Sequence, residues 1–284
     1  MVVQLNKGEY TATFAPDKGM NLLSLKKAGY ELIDPSTRTL FEKRFAGLGA
    51  LIGPHFHYRH EDAQPKLDNE ALFPHIEVSR QMGAKDPFSH GIGRYAPWQI
   101  RLSTQDKIGA ELRGEDRWQG VPLKDIEGQD FYMSYEALLT SSGLYIDLSV
   151  QSVHPSIVGL HTYYALQDKK GRITARVQDS YTDQGVFKPI PSTWNYANHL
   201  LQVDLPALQD YGFLPYPDLK QGAVSLETGD KKVKVQFFSD TEELSWQLWQ
   251  PKEASFVCIE PLSAKNPRKC SANNSKIKIL ISVQ

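Results

Sequence analysis

Leu144-Tyr145-Ile146-Asp147-Leu148-Ser149-Val150 alternates aliphatic residues with Tyr, Asp and Ser. Successive side chains of a strand point to opposite faces, so this run places Leu144, Ile146, Leu148 and Val150 on one face and the more polar residues on the other. The same period returns at Val233, Val235 and Phe237, interleaved with Lys232, Lys234 and Gln236, and again at Ile277, Ile279, Ile281 and Val283. These segments read as strands with one solvated face. Residues 157–166 and 255–259 are apolar or aromatic at both parities, the pattern of strands in the middle of a packed sheet. Turn chemistry separates such runs, at Asp34-Pro35, Gly53-Pro54, Ser141-Ser142-Gly143, Lys169-Lys170-Gly171 and Gly229-Asp230. No helical period lasts beyond a few turns, and no repeat, low-complexity tract or linker marks a boundary. The expectation is one all-β domain over residues 1–284, a large antiparallel β-sandwich, with the polar stretches 61–69 and 114–129 as long surface loops.

Composition narrows the function. With 40% hydrophobic and 11% aromatic residues in 284, the chain can bury a large core. Lys plus Arg (32) nearly balances Asp plus Glu (33), so no overall positive field exists to draw nucleic acid or anionic membrane. A small neutral or singly charged ligand fits this balance better. Residues 1–14 read as an early strand without the basic and apolar regions of a targeting signal, and no apolar run approaches the roughly 20 residues of a membrane-crossing helix. The two cysteines, Cys258 and Cys270, form neither a disulfide framework nor a zinc motif. A cytoplasmic protein is the expectation.

Three short segments could carry chemistry. Ser89-His90-Gly91-Ile92-Gly93-Arg94-Tyr95-Ala96-Pro97-Trp98 puts an imidazole, a guanidinium and an indole around two glycines that permit close backbone approach. Such side chains can surround a ligand, although a turn with a core tryptophan has the same pattern. In Gly159-Leu160-His161-Thr162-Tyr163-Tyr164-Ala165, alternation groups Gly159, His161, Tyr163 and Ala165 on one face, leaving room before the histidine. A hydrogen-bonded structural histidine would fit equally well. Phe256-Val257-Cys258-Ile259-Glu260-Pro261 ends an apolar strand on a carboxylate, with a proline expected to stop the ladder after it. Partial desolvation there would raise the carboxyl pKa towards a general base's range, whereas a solvated strand-end glutamate would be inert.

In this order the three segments resemble motifs of the aldose 1-epimerase (galactose mutarotase) family, and the resemblance spans most of the chain. Ala15-Pro16-Asp17-Lys18-Gly19-Met20-Asn21-Leu22-Leu23 and Gly29-Tyr30-Glu31-Leu32-Ile33 are similar to its first strands. Gly49-Ala50-Leu51-Ile52-Gly53 with Tyr58-Arg59 is similar to its glycine-rich segment ending in Asn-Arg, with Tyr58 in place of the asparagine. His90-Gly91, His161-Thr162-Tyr163-Tyr164 and Cys258-Ile259-Glu260-Pro261 follow its later motifs. The resemblance implies a galactose mutarotase-like supersandwich that interconverts the α and β anomers of an aldohexose, free or 6-phosphorylated, without metal or cofactor. It assigns Glu260 as the base at the anomeric hydroxyl, His161 as the acid at the ring oxygen, His90 as a hydrogen-bonding partner of the substrate, and Arg59 as the holder of a hydroxyl or phosphate. The form of residues 90–98 and 160–163 is closer to the hexose-6-phosphate mutarotase branch, whose arginines bind phosphate, which makes Arg59, Arg80 and Arg94 candidates. An aspartate often completes such a site, and Asp183 or Asp204 could serve.

Two other readings compete. His55-Phe56-His57 followed by Glu61 gives His-x-His-x3-Glu, which resembles the first metal motif of the cupins; imidazoles at i and i+2 of a strand could share a divalent ion with the carboxylate. Against it, Asp68 stands where that motif has a glycine, and Pro155, Gly159 and His161 match the second cupin motif only loosely. The other reading is a non-catalytic carbohydrate-binding member of the mutarotase-like fold, against which the presence of both His161 and Glu260 argues.

Overall fold

The alternating runs pair into two antiparallel sheets packed face to face. The computed structural model describes residues 1–206, 209–241 and 243–284. The first sheet runs in the order Val3–Lys7, Tyr10–Ala15, Asn21–Lys27, Gly49–Ile52, Gly159–Ala165, Phe256–Leu262, Ser245–Gln250 and Gln209–Pro215. The second runs Gln99–Ser103, Lys107–Arg113, Phe131–Thr140, Gly143–Ser152, Asn274–Val283, Lys231–Phe238 and Gln221–Thr228. The long strand Gly171–Asp183 serves both: its first half pairs with Leu200–Leu205 and Gln221–Thr228, its second with Val186–Pro189 and Gln209–Pro215. A register shift between Val177 and Tyr181 marks the crossing, as a bulge lets one strand bend out of its sheet and into the next.

Burial follows the alternation read from sequence. Leu144, Ile146, Leu148 and Val150 are buried while Tyr145 is 42% exposed. Val233, Val235, Phe237, Ile277, Ile279 and Ile281 line the same core, and Phe14 of the first sheet meets Tyr135 of the second edge to face, 6.1 Å between ring centroids. Gly159–Ala165 and Phe256–Leu262 are central, each flanked by strands on both sides. Their inner faces send Leu160, Tyr164, Val257 and Ile259 into the core; their outer faces carry Tyr163, Phe256 and Cys258 in a second apolar cluster.

Two expectations change. The strand does not stop at Pro261: it continues to Leu262 with neighbours on both sides, because a proline removes a single N–H donor and the flanking strands hold the rest. Glu260 is therefore an interior strand residue, 2% exposed. Residues 114–129 are not a plain surface loop either. They form a two-stranded ribbon and the short helix Leu123–Glu127, which turns Leu123, Ile126 and Glu127 inward and ends at Gly128, φ 87°, in the left-handed region that glycine adopts without strain. The backbone of residues 61–69 is stitched to that segment, Gln64 N–H donating to Gly128 O at 2.9 Å and Lys66 N–H to Asp125 O at 2.6 Å.

The inward and outward faces should respond differently to truncation. Leu148→Ala is expected to cost about 2–5 kcal/mol in urea unfolding, and Tyr145→Ser, on the opposite face of the same strand, within about 0.5 kcal/mol.

Candidate active site

Strand register brings separate motifs onto one rung. Thr162 pairs with Ile259 and Tyr163 with Cys258, which sets His161 opposite Glu260. Glu260 pairs with Gln247 and Gln247 with Gly212. His161, Glu260 and Gln247 thus stand side by side on the outer face, with His161 Nε2 3.3 Å from Glu260 Oε1. A Cβ at position 212 would lie 2.2 Å from Gln247 Nε2, so glycine there leaves the space that the carboxamide fills. The next rung carries Tyr163, Cys258, Trp249 and Asp210.

His90 arrives from a turn pressed against the end of strand Gly49–Ile52. His90 and Gly91 are consecutive left-handed residues, φ 75° and 84°. His90 N–H donates to Phe56 O at 2.6 Å, and His90 O accepts from Gly53 N–H at 2.7 Å. A non-glycine residue in that region costs about 1–3 kcal/mol, held here by those bonds. The turn brings the His90 ring to 5.4 Å from that of His161. Arg94 follows, buried, with Nε donating to Leu51 O at 2.9 Å and Nη2 left without a partner. Trp98 is a core residue: its indole N–H donates to Gly93 O and its ring packs on Tyr135.

A cavity of about 330 Å³ opens over this face, lined among others by Arg44, His57, His90, Arg94, His161, Tyr163, Asp210, Gln247, Trp249 and Glu260. Its size suits a small ligand. Burial pushes the Glu260 carboxyl up to about 8, against the pull of Arg94. Burial also holds His161 well below the usual imidazole range, assisted by Arg94, His57 and Arg44, and His90 likewise, assisted by Arg94 and His57. Near neutrality both imidazoles are uncharged and the proton of the His161–Glu260 pair rests on the carboxyl. Arg44 and Arg94 have no carboxylate partner among the described residues, and Arg44 Nε and Arg94 Nη2 are buried unpaired. His90, His161 and Glu260 also offer three ligand atoms within 4.8 Å of one another, but the adjacent guanidinium charges oppose a cation there.

The other candidate residues lie elsewhere. Arg59 sits behind the cavity wall, paired with Asp86 and donating to Glu127 O at 3.0 Å and Ile126 O at 3.4 Å, so its guanidinium is committed to the protein. His55 joins the same network, Nδ1 2.7 Å from Glu127 Oε1 and Nε2 3.1 Å from Asp86 Oδ2. Burial lowers its pKa, but the two carboxylates outweigh that and the net shift is upward. Glu127 Oε2 accepts from Ile92 N–H at 3.1 Å, tying the network to the turn that carries His90. Arg80 is outside the cavity, on helix His75–Gln81, where its exposed guanidinium pairs with Glu70. Of the three arginines only Arg94 lines the cavity. His55, His57 and Glu61 do not converge: residues 53–69 are irregular rather than a strand, so His55 turns back to Glu127 while His57 faces the cavity beside His90. Asp183 pairs with Lys188 and Asp204 with Arg172, and neither lines the cavity. The aspartates that line it are Asp86, which also faces His55 and Arg59, and Asp210; the sequence singled out neither of them, nor Arg44, Gln247 or Trp249.

The fold is that of the galactose mutarotase-like proteins. The chain superposes along 100% of its length on a galactose mutarotase-like protein from Lactobacillus casei ATCC 334, covering 100% of that chain, with a TM-score of 0.70 at 13% identity. A galactose mutarotase-like protein from Clostridium acetobutylicum gives 0.68 at 14% identity, covering 100% of this chain and 95% of that one. An aldose epimerase homologue from C. elegans gives 0.68 at 13%, covering 100% and 98%. At these identities the likeness is one of fold. No protein-family model and no curated protein matches the chain in sequence.

The buried carboxyl has a consequence for stability. Its folded pKa, about 8, lies above the unfolded value near 4.5, so the native state holds a proton that the unfolded state releases as pH rises between them. The contribution is fully present below pH 4.5 and lost by the time pH passes about 8. Glu260→Gln has no proton to lose. Urea melts are expected to show the variant gaining on the wild type between pH 5 and pH 8 by on the order of a few kcal/mol, and a difference independent of pH would refute the shifted carboxyl.

Proposed function

We propose that the protein is an aldose mutarotase that interconverts the α and β anomers of an aldohexose by acid–base ring opening. The observation that carries this reading is the His161–Glu260 pair, 3.3 Å apart on the floor of a cavity of suitable size, where burial raises the carboxyl pKa and lowers that of the imidazole. Ring opening needs a proton to leave the anomeric hydroxyl while another reaches the ring oxygen. With the proton passed from Glu260 to His161 across their contact, the carboxylate takes the anomeric proton and the imidazolium protonates the ring oxygen as the C1–O5 bond breaks. The open aldehyde rotates about C1–C2, and closure on the other face returns both protons. Each transfer supplies roughly 10²–10⁴-fold. His90 and Gln247 offer hydrogen bonds to sugar hydroxyls, Asp210 accepts from them, and Trp249 presents an aromatic wall to the ring's apolar face. The guanidiniums of Arg44 and Arg94, which have no carboxylate partner among the described residues and each keep one nitrogen unbonded, favour a 6-phosphorylated hexose over the free sugar, since a phosphate supplies the missing counter-charge.

Polarimetry on freshly dissolved glucose, galactose and glucose-6-phosphate, with chelator present, tests this directly. Anomer exchange should be accelerated on at least one of them, most on the phosphorylated sugar. Glu260→Gln and His161→Asn should each cut the rate at least about 100-fold without loss of fold; a folded variant with near wild-type activity sinks the assignment. Arg94→Met should weaken the phosphorylated substrate about tenfold more than glucose.

The pair also sets a pH dependence. Above about 8 it loses its shared proton and retains a base without an acid. The rate should therefore fall as pH rises through that value, and a flat profile to pH 10 would show that no such proton is used.

A further inference from the structure

A second cluster of ligand groups lies outside the cavity, where the connection after strand Gly49–Ile52 meets the turn between strands Gly143–Ser152 and Gly159–Ala165. His60, Asp62 and His154 each offer a ligand atom, and the three atoms lie within 4.8 Å of one another. The imidazoles of His60 and His154, far apart in sequence, lie nearly parallel with 5.2 Å between centroids and 7° between planes, so one ring must tilt for both in-plane lone pairs to meet on one ion. His60 Nδ1 is 3.6 Å from Asp62 Oδ2.

From this arrangement we propose that His60, Asp62 and His154 form a binding site for a divalent transition ion of the zinc class, which braces the two loops against each other. Two imidazoles and one carboxylate are a zinc-type donor set and a poor one for magnesium or calcium, which take oxygen ligands. Two metal–nitrogen bonds of about 2.1 Å at a tetrahedral angle hold their nitrogens about 3.4 Å apart, so ligand atoms that already lie within 4.8 Å of one another need draw together by at most about 1.4 Å. The loop of His60 and Asp62 can supply that movement, because Asp62 is exposed and, among the described residues, its side chain pairs with His60 alone. The His154 side is rigid. Its N–H donates to Gln129 Oε1 at 2.8 Å and its carbonyl accepts from the hydroxyls of Ser152 and Ser156 at 2.7 and 3.0 Å. Of the cations that share a depression with His60, Arg59 has its charge matched by Asp86, while Arg268 and Lys269 add positive charge that the ion's carboxylate ligand has to offset. Three protein ligands at a solvent-facing place leave the fourth position to water. The ion would tie the loop bearing His55 and His57 to the turn that precedes His161, bracing the cavity from behind without touching substrate.

Equilibrium dialysis of the metal-stripped full chain against Zn²⁺ tests the site. The expected result is one zinc per chain at micromolar free ion, weakened at least tenfold by His154→Ala and by His60→Ala and unchanged by Glu260→Gln. Zinc should also raise the melting temperature of the wild type and not that of the two histidine variants, whose anomer exchange without metal should match the wild type. No stoichiometric uptake, uptake insensitive to both histidine variants, or uptake lost only in Glu260→Gln, which would place the ion in the cavity, each overturns the proposal.

Discussion

The antiparallel register between Gly159–Ala165 and Phe256–Leu262 is the constraint on which the rest of the molecule depends. It puts His161 against Glu260 and, one strand further, Gln247. A slip of one residue would turn every side chain of a strand to the opposite face, driving Glu260 into the core and Ile259 out over the cavity. What prevents the slip is that both faces are already specified. Leu160, Tyr164, Val257 and Ile259 are committed to the core, and Tyr163, Phe256 and Cys258 to an apolar cluster on the other side. The packing that stabilises the sandwich thus also fixes, within hydrogen-bond distance, two polar groups from chain segments about a hundred residues apart.

Charge in the molecule is arranged in two contrasting ways. At the edge of the cavity Glu127, His55, Asp86 and Arg59 form a chain in which each carboxylate meets a nitrogen group of the next residue, and the two carboxylates draw the His55 pKa upward. Buried ions tolerate desolvation in such a closed arrangement, and removing one partner strands the others. In the cavity the balance is open. Burial favours the neutral forms of Glu260 and the two imidazoles, and Arg44 and Arg94 carry charge with no carboxylate partner among the described residues. A satisfied network gives stiffness, whereas an unsatisfied one gives a ligand something to complete.

Much of the fold was legible because alternation is a local signal. Leu144 through Val150, Val233 through Phe237 and Ile277 through Val283 all lie in strands buried on the side their parity indicated. The central strands announced themselves by apolar residues at both parities. What local pattern could not convey was the company each residue keeps. Arg59 and His55 stand in suggestive motifs, yet Asp86 and Glu127, distant in sequence, claim both. Arg80 belongs to a helix whose Ser79 does reach the cavity, but its own guanidinium turns to Glu70 instead, a choice that sequence spacing does not reveal. Asp210, Gln247 and Trp249 were overlooked because no motif surrounds them; they reach the cavity by strand neighbourhood alone. One signal was available: Ser245–Gln250 is buried at nearly every position, so a glutamine inside it had to face either the core or a site.

The strained turn at His90 and Gly91 shows how these layers act together. Gly91 takes its positive φ without strain, whereas His90, at φ 75°, holds its conformation against local preference. A Cβ on residue 91 would sit 2.1 Å from Gly53 O, so the approach of the turn to strand end Gly53 demands glycine there, and the backbone bonds of His90 to Phe56 and Gly53 fix the histidine in front of it. Glu127, through Ile92 N–H, clamps the far side of the turn to the buried ionic chain. His90 is thereby delivered to the cavity by main-chain bonds and a neutralised charge network, none of which needs a ligand to form. The imidazole can then remain uncharged and available, because the interactions that position it are not those that a substrate would use.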